Sequence, residues 1–206
     1  MTASYFNAIL DSKNYTNSTF TIDSNYVDSE TNEEIPIVKF VYKFGADAMY
    51  KSDYYQLEDF SESSINYLNY KDNVLFSYYN VGEEWIFDYD VAEDAKSAEN
   101  SYIGTILGYI NSIFEELLPF DEFDHSAFVK TLEGFTMREE SLAEYIKDDE
   151  EDVKNPTFNV IIKENIITEV YIGSDYGGTK LKIFDVSLTK VDLPKEFLDQ
   201  IQSVNK

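Results

Sequence analysis

Two neighbouring runs near the C-terminus, Thr157-Phe-Asn-Val-Ile-Ile-Lys163 and Ile166-Ile-Thr-Glu-Val-Tyr-Ile172, carry the clearest indication of the fold. Each run is rich in β-branched and aromatic residues, which are typical of strands. The turn-prone pair Glu164-Asn165 separates them, and asparagine tolerates a left-handed backbone conformation. The stretch therefore predicts an antiparallel hairpin.

The apolar positions also predict the register of this hairpin. If Phe158 faces Ile172 and Val160 faces Val170, then Ile162 joins them on one apolar face of the sheet. This pairing implies a connection of three residues.

The residues that follow extend the hairpin into a three-stranded meander. Gly173–Gly178 contains three glycines and predicts a second reversal. Thr179–Val191 then predicts one long strand in which the apolar residues change from one side of the strand to the other. The switch predicts a β-bulge near Phe184.

The N-terminal half shows the same kind of pattern. Short runs of alternating polar and apolar residues are separated by polar turn residues, which predicts a second antiparallel meander. The predicted strands are Tyr15–Tyr26, Ile35–Phe44, Ala48–Leu57, Ser64–Tyr70, Val74–Tyr79 and Glu84–Tyr89.

One long helix is predicted between the two meanders, over Ala92–Leu118. Its apolar side chains recur at helical spacing and form one broad stripe, which a sheet must cover. Shorter elements are a helix at Tyr5–Leu10, a strand at Ala127–Met137, a helix at Arg138–Lys147 and a final helical turn after Pro194.

The composition limits the classes of partner. Forty acidic residues against sixteen basic ones give 206 residues a formal net charge of −24. This charge repels phosphate backbones and anionic membrane surfaces, so nucleic acid is excluded as a partner, whereas a basic protein is attracted. The absence of cysteine excludes disulfides, thiol catalysis and cysteine-ligated metals. No linker is evident, so we expect a single domain over residues 1–206.

The sequence contains no segment typical of membrane insertion or export. No run approaches the ~18 uninterrupted apolar residues of a membrane-spanning helix, so the chain is not expected to be transmembrane. The first ten residues lack the basic region and apolar core of a signal peptide. If the protein is exported, its signal has been removed.

Few residues suggest catalysis or metal binding. His125 is the only histidine, it follows an acidic loop, and the chain has no Gly-x-Ser-x-Gly motif. Alternating oxygen ligands at Asp28–Glu34 resemble the start of a calcium loop, but Glu33 stands where an EF-hand needs glycine. Asp148–Asp152 is interpreted as an exposed acidic loop. We predict no catalytic residue, no metal and no cofactor.

Aromatic residues are concentrated in the N-terminal strands and offer a different kind of site. Such side chains stack on sugars, line an apolar pocket or simply cover a sheet. We predict that inward aromatic residues and the apolar stripe of the long helix line one ligand cavity. The predicted lining residues are Tyr67, Phe76, Tyr78, Trp85, Phe87, Tyr102, Ile106, Tyr109 and Ile113.

The order of elements resembles that of the LolA and LppX-type lipoprotein carriers. The most specific pieces are Phe158–Ile172, the strand Lys182–Leu188 and the ending Val191-Asp-Leu-Pro194. The resemblance implies an α+β fold in which helices cover one face of a curved antiparallel β-sheet, a half-barrel. It also implies a lipid-binding cavity without catalytic residues.

Three functions remain open at this stage. The leading hypothesis is a non-enzymatic extracytoplasmic protein, secreted or at the cell surface, that binds an apolar or amphiphilic ligand, and it predicts an internal pocket. The second is an acidic module for a basic protein partner, which predicts charge on one face. A carboxylate-based hydrolase would show two converging buried carboxylates.

Overall fold

The computed structural model describes residues 2–57, 60–118, 125–145 and 154–204. These residues form one open antiparallel sheet and four α-helices, so the chain is an α+β protein. The strands are β1 (Thr19–Val27), β2 (Glu34–Phe44), β3 (Ala48–Leu57), β4 (Phe60–Lys71), β5 (Val74–Val81), β6 (Glu84–Val91), β7 (Phe128–Lys130), β8 (Gly134–Met137), β9 (Thr157–Lys163), β10 (Ile166–Ser174) and β11 (Gly177–Phe184). The helices are α1 (Ala3–Ile9), α2 (Ala95–Leu117), α3 (Glu139–Tyr145) and α4 (Lys195–Val204), with short 3-10 turns at Ser12–Tyr15 and His125–Ala127.

The pairing of β1 with β11 joins the two meanders into one sheet. β1 pairs with β2 on one side and with β11 on the other, both in antiparallel fashion. The resulting strand order is β6-β5-β4-β3-β2-β1-β11-β10-β9-β8-β7. The predicted second meander is confirmed, and it adjoins the first one.

The predicted register of the β9–β10 hairpin is confirmed. Phe158 faces Ile172 and Val160 faces Val170. All four side chains belong to the main apolar core, as their alternation predicts.

The predicted three-residue connection is wrong. The loop contains only Glu164 and Asn165, which both adopt left-handed conformations with φ of 52° and 63°. Such a two-residue turn matches the twist of the flanking strands. The remaining residue is absorbed by a register shift between Ile167 and Glu169.

The predicted long strand over Thr179–Val191 is also wrong. β11 ends at Phe184, because Asp185 and Ser187 adopt left-handed conformations with φ of 53° and 64°. Such a backbone cannot continue the ladder, so the parity switch in the sequence marks the end of a strand and not a bulge.

Three further boundaries differ from the predictions. β4 is longer than expected and begins at Phe60, within the predicted polar turn. The single strand predicted around Gly134 is the hairpin of β7 and β8. The strand predicted from Tyr15 starts at Thr19, after a 3-10 turn.

Helices lie on both faces of the sheet, so the prediction that they cover one face is wrong for α4. On β4, the ring of Tyr70 lies 5.0 Å from that of Tyr102 on α2, and the ring of Tyr67 lies 6.4 Å from that of Phe197 on α4. Because Tyr67 and Tyr70 are three residues apart on a regular strand, they point to opposite faces. We call these the α2 face and the α4 face.

Each face has its own apolar core. The α2 face carries the larger core, which unites α1, α2 and the inward residues of most strands. The α4 face carries a smaller core made by β5 and α4, with Phe76, Tyr78, Phe197 and Ile201 all buried.

Candidate functional site

Polar side chains interrupt the apolar α2 face where β2, β3 and β4 lie side by side. Tyr42 of β2 faces Lys51 of β3, and Lys51 faces Asn66 of β4. Asp53 lies two residues further along β3, and Tyr109 approaches from α2 with its ring 5.7 Å from that of Tyr42. We call these five residues the Asp53 site.

A charge pair forms the centre of the Asp53 site. Lys51 Nζ lies 3.0 Å from Asp53 Oδ2, which also accepts a hydrogen bond of 3.0 Å from the Ser64 hydroxyl. The same ammonium group lies 5.8 Å from the ring centre of Tyr42 and 5.5 Å from that of Tyr109. These contacts attract the lysine charge and hold it in place.

Two acceptor atoms of the site have no hydrogen-bond partner among the described residues. Asp53 is 8% exposed. Its Oδ1 atom and Oδ1 of Asn66 are buried, and neither has a partner among the residues that the structure describes. A buried acceptor without a donor costs about 1–3 kcal/mol. A ligand that brings hydrogen-bond donors to these atoms would recover that free energy.

An aromatic surface borders the polar centre. Phe40 faces Asp53 across β2 and β3. The rings of Phe40 and Tyr55 meet edge to face at 5.6 Å, and Tyr55 remains 39% exposed. The surface therefore offers apolar area directly beside unsatisfied polar atoms.

The buried tyrosines of this face act as neutral phenols. Burial raises the pKa of Tyr42, and the negative charge of Asp53 raises it further. Burial also raises the pKa of Tyr102, whose hydroxyl donates a 2.8 Å hydrogen bond to the Gly45 carbonyl. Tyr102 thereby fixes the N-terminal half of α2 to the β2–β3 turn.

The predicted lining residues of α2 share the α2 face. Tyr102, Ile106 and Ile113 are buried in the main core. Tyr109 is half-buried and belongs to the Asp53 site.

The predicted lining residues of the strands lie on the α4 face instead. These are Tyr67, Phe76, Tyr78, Trp85 and Phe87. Trp85 stacks on Tyr78 at 4.7 Å, and Tyr78 stacks on Phe197 at 5.3 Å. The predicted set is therefore divided between two faces and does not surround one space.

The calcium-like loop is a turn that is stabilised by its own backbone. Asp28 Oδ1 accepts hydrogen bonds from the N–H groups of Glu30 and Thr31, at 2.9 and 2.8 Å. These bonds, with that of Thr31 the strongest, lower the pKa of Asp28. Within the described ranges no three Asp, Glu or His side chains form a metal-binding group. The acidic run Asp148–Asp152 lies outside the described residues.

Of the Asp53 site, Tyr109 was predicted as a lining residue, whereas Tyr42, Lys51, Asp53 and Asn66 were not identified from the sequence. A usable indication was present, because Lys51 and Asp53 share the parity of Met49, a core residue. Charged residues at inward positions of a strand are rare and are retained for edge protection or for function.

Comparisons with known proteins leave the family open. The sequence matches no family model, and no curated protein matches it. None of the helices in the described part of the chain is long and apolar enough to span a membrane.

Proposed function

We propose that the protein binds an amphiphilic, lipid-like molecule at the Asp53 site and catalyses no reaction. The observation that carries this proposal is the pair of buried, unsatisfied acceptors on Asp53 and Asn66 beside the exposed ring of Tyr55. A ligand with an apolar chain and a polar end matches both parts of this surface.

The acceptors determine the chemistry of the polar end. Both free atoms accept hydrogen bonds, so the ligand must donate, through hydroxyl, amide or ammonium groups. An anionic head group is disfavoured, because Lys51 already pairs with Asp53 and the protein carries a net charge of −24.

The arrangement of Asp53 suits binding better than proton transfer. Its Oδ2 atom already receives Lys51 and the Ser64 hydroxyl. These contacts occupy one of the two oxygen atoms that could reach a ligand for proton transfer.

We also propose a more detailed architecture for the sheet and its helices. The order of strands and helices supports a half-barrel of the LolA type, with the ligand on the α2 face. Carriers of that class work outside the cytoplasm, and we propose the same location for this protein.

A matched pair of ligands tests the proposal. A monoacylglycerol has two free hydroxyl groups, and the methyl ester of the same fatty acid has none. Calorimetric titration below the critical micelle concentration should show tighter binding of the monoacylglycerol, by at least about tenfold. Because Trp85 lies on the other face, its emission should not change.

The variant pair Lys51→Met with Asp53→Leu removes the polar centre without leaving an unpaired buried charge. Replacing such an ion pair by apolar residues is often neutral for stability. We expect this double variant to lose the preference for the monoacylglycerol, while Asp23→Asn on the α4 face keeps it. Equal binding of both ligands by the wild-type protein would contradict the proposal.

A further inference from the structure

Strand β6 forms one edge of the sheet. It pairs with β5 from Glu84 to Val91, and in the strand order of the described residues it has no neighbour on its other side. Seven of its eight residues are exposed. An edge of this length offers a row of backbone groups to another strand.

Two hydrogen bonds show which backbone groups of β6 point outward. The Ala92 N–H donates to the Asn73 carbonyl on the β5 side, at 2.8 Å, whereas the Tyr89 N–H donates to Asp88 Oδ1, at 2.8 Å. In an antiparallel strand the backbone direction alternates from residue to residue. The outward groups are therefore those of the odd-numbered residues, Trp85, Phe87, Tyr89 and Val91.

The side chains of β6 alternate between two chemistries. Cross-strand pairing with Tyr78 places Phe87 on the α4 face, with the other odd-numbered residues. This row is apolar and contains Trp85, Phe87, Tyr89 and Val91. Trp85 is 43% exposed and Val91 is 64% exposed. The row on the α2 face contains Glu84, Ile86, Asp88 and Asp90.

Charge disfavours a second copy of the chain at this edge. An antiparallel pair of β6 strands would place one acidic row beside another, and like charges across strands are destabilising. The stretch from Asp72 to Ala95 contains no lysine or arginine, and Glu83 and Glu93 add acidic groups at both ends of β6.

We infer that β6 receives an extended segment of a partner protein in which basic residues alternate with apolar ones. The segment would continue the sheet through the outward backbone groups of β6. Its basic side chains would meet Glu84, Asp88 and Asp90, and its apolar side chains would lie beside Trp85, Phe87 and Tyr89. Asp88 leaves the Tyr89 N–H when the segment binds, and pairs with a basic residue.

A peptide of nine residues that alternates lysine with valine provides the probe. Its fluorescent derivative should bind the wild-type protein in an anisotropy titration. A second peptide of the same sequence, N-methylated at the amides that face β6, keeps the charge but cannot form strand hydrogen bonds. We expect its affinity to be lower by at least about tenfold.

Two double variants with equal net charge locate the binding surface. Glu84→Gln with Asp90→Asn removes two charges from β6, and Glu30→Gln with Glu164→Gln removes two exposed charges from loops. The first pair should weaken binding by about 2- to 30-fold, since a cross-strand charge pair contributes a few tenths to 1 kcal/mol. The second pair should change it less than about twofold.

Several results would overturn the inference. Equal affinity of the two peptides would mean that charge alone attracts them. Equal weakening by both double variants would exclude β6 as the surface, and no binding of the alternating peptide would exclude strand addition. A dimer in light scattering that the β6 variant abolishes would identify a second copy as the occupant.

Binding of the monoacylglycerol should be unchanged in the β6 variant, which separates this test from that of the Asp53 site.

Discussion

The substitution Tyr15→Phe removes one oxygen atom at a point where the N-terminal segment meets the C-terminal meander. Tyr15 is fully buried. Its hydroxyl donates to the Ile9 carbonyl at 2.6 Å and accepts from the Ile167 N–H at 2.9 Å. It therefore joins the end of α1 to the start of β10.

The expected loss of stability follows from these two bonds. Ile9 and Ile167 are both fully buried, so solvent does not replace the lost partner at either residue. Leaving a buried donor or acceptor unsatisfied costs about 1–3 kcal/mol. The phenyl ring that remains in the variant keeps the edge-to-face contact that Tyr15 makes with Phe114 at 5.0 Å. We expect the free energy of unfolding to fall by roughly 2–6 kcal/mol.

Urea denaturation followed by circular dichroism measures this loss. Tyr176→Phe is the matched control, because it removes the same atom from a side chain that is 46% exposed. The control should change the free energy of unfolding by less than about 0.5 kcal/mol. A loss in Tyr15→Phe no larger than that of the control would refute the reasoning.

The pH dependence gives a second measure of the same site. Burial raises the pKa of Tyr15 from 10.0 to about 12, although the hydrogen bond from Ile167 opposes the shift. The neutral phenol thus stabilises the folded state fully below pH 10, and this contribution is lost as the pH rises from 10 to 12. Because the phenyl group of the variant cannot ionise, the difference in stability between wild type and variant should narrow by roughly 1.4 kcal/mol for each pH unit in this window. A constant difference would contradict the assignment.

Three further predictions concern packing and charge. Phe197→Ala should destabilise the docking of α4 by about 3 kcal/mol, whereas Leu198→Ala on the exposed side of the same helix should have little effect in denaturant titrations. Gly134→Ala should cost roughly 3 kcal/mol, because the added carbon would meet the Val160 carbonyl oxygen, while Gly104→Ala on α2 has free space and should gain about 0.5–1 kcal/mol in the same assay. Moderate salt should raise the melting temperature, since it screens a net charge of −24, and a fall would contradict a repulsive acidic surface.

The local pattern predicted the strands well, because alternation and turn chemistry act over a few residues. The pairing of Phe158 with Ile172 follows from the parity of the two runs and was predicted correctly. The length of the loop was predicted wrongly, since an extra residue can lie either in the turn or in a register shift beside it. The left-handed conformations of Asp185 and Ser187 do not show in the alternation of polar and apolar residues. The sequence therefore does not predict that β11 ends at Phe184.

The predicted lining residues lie on two faces of the sheet, because alternation along a strand does not show which face of the sheet a given side chain joins. Alternation along β4 shows that Tyr67 and Tyr70 point in opposite directions, but it does not show which helix covers either side. The two helices that cover them, α2 and α4, are far from each other in the chain. Tyr70 packs against α2 and Tyr67 against α4.

Local sequence accounts for the antiparallel strands, the long helix, the acidic surface and the inward parity of Lys51 and Asp53. The remaining features arise from long-range packing, because pairing β1 with β11 depends on residues about 160 positions apart, such as Phe20 and Ile183. That one pairing leaves β6 at an edge of the sheet. Long-range packing also brings Tyr109 of α2 to Tyr42 and Lys51, close to the Asp53 and Asn66 acceptors that have no partners among the described residues. Both features depend on which distant surfaces bury most apolar area together, and no local pattern contains that information.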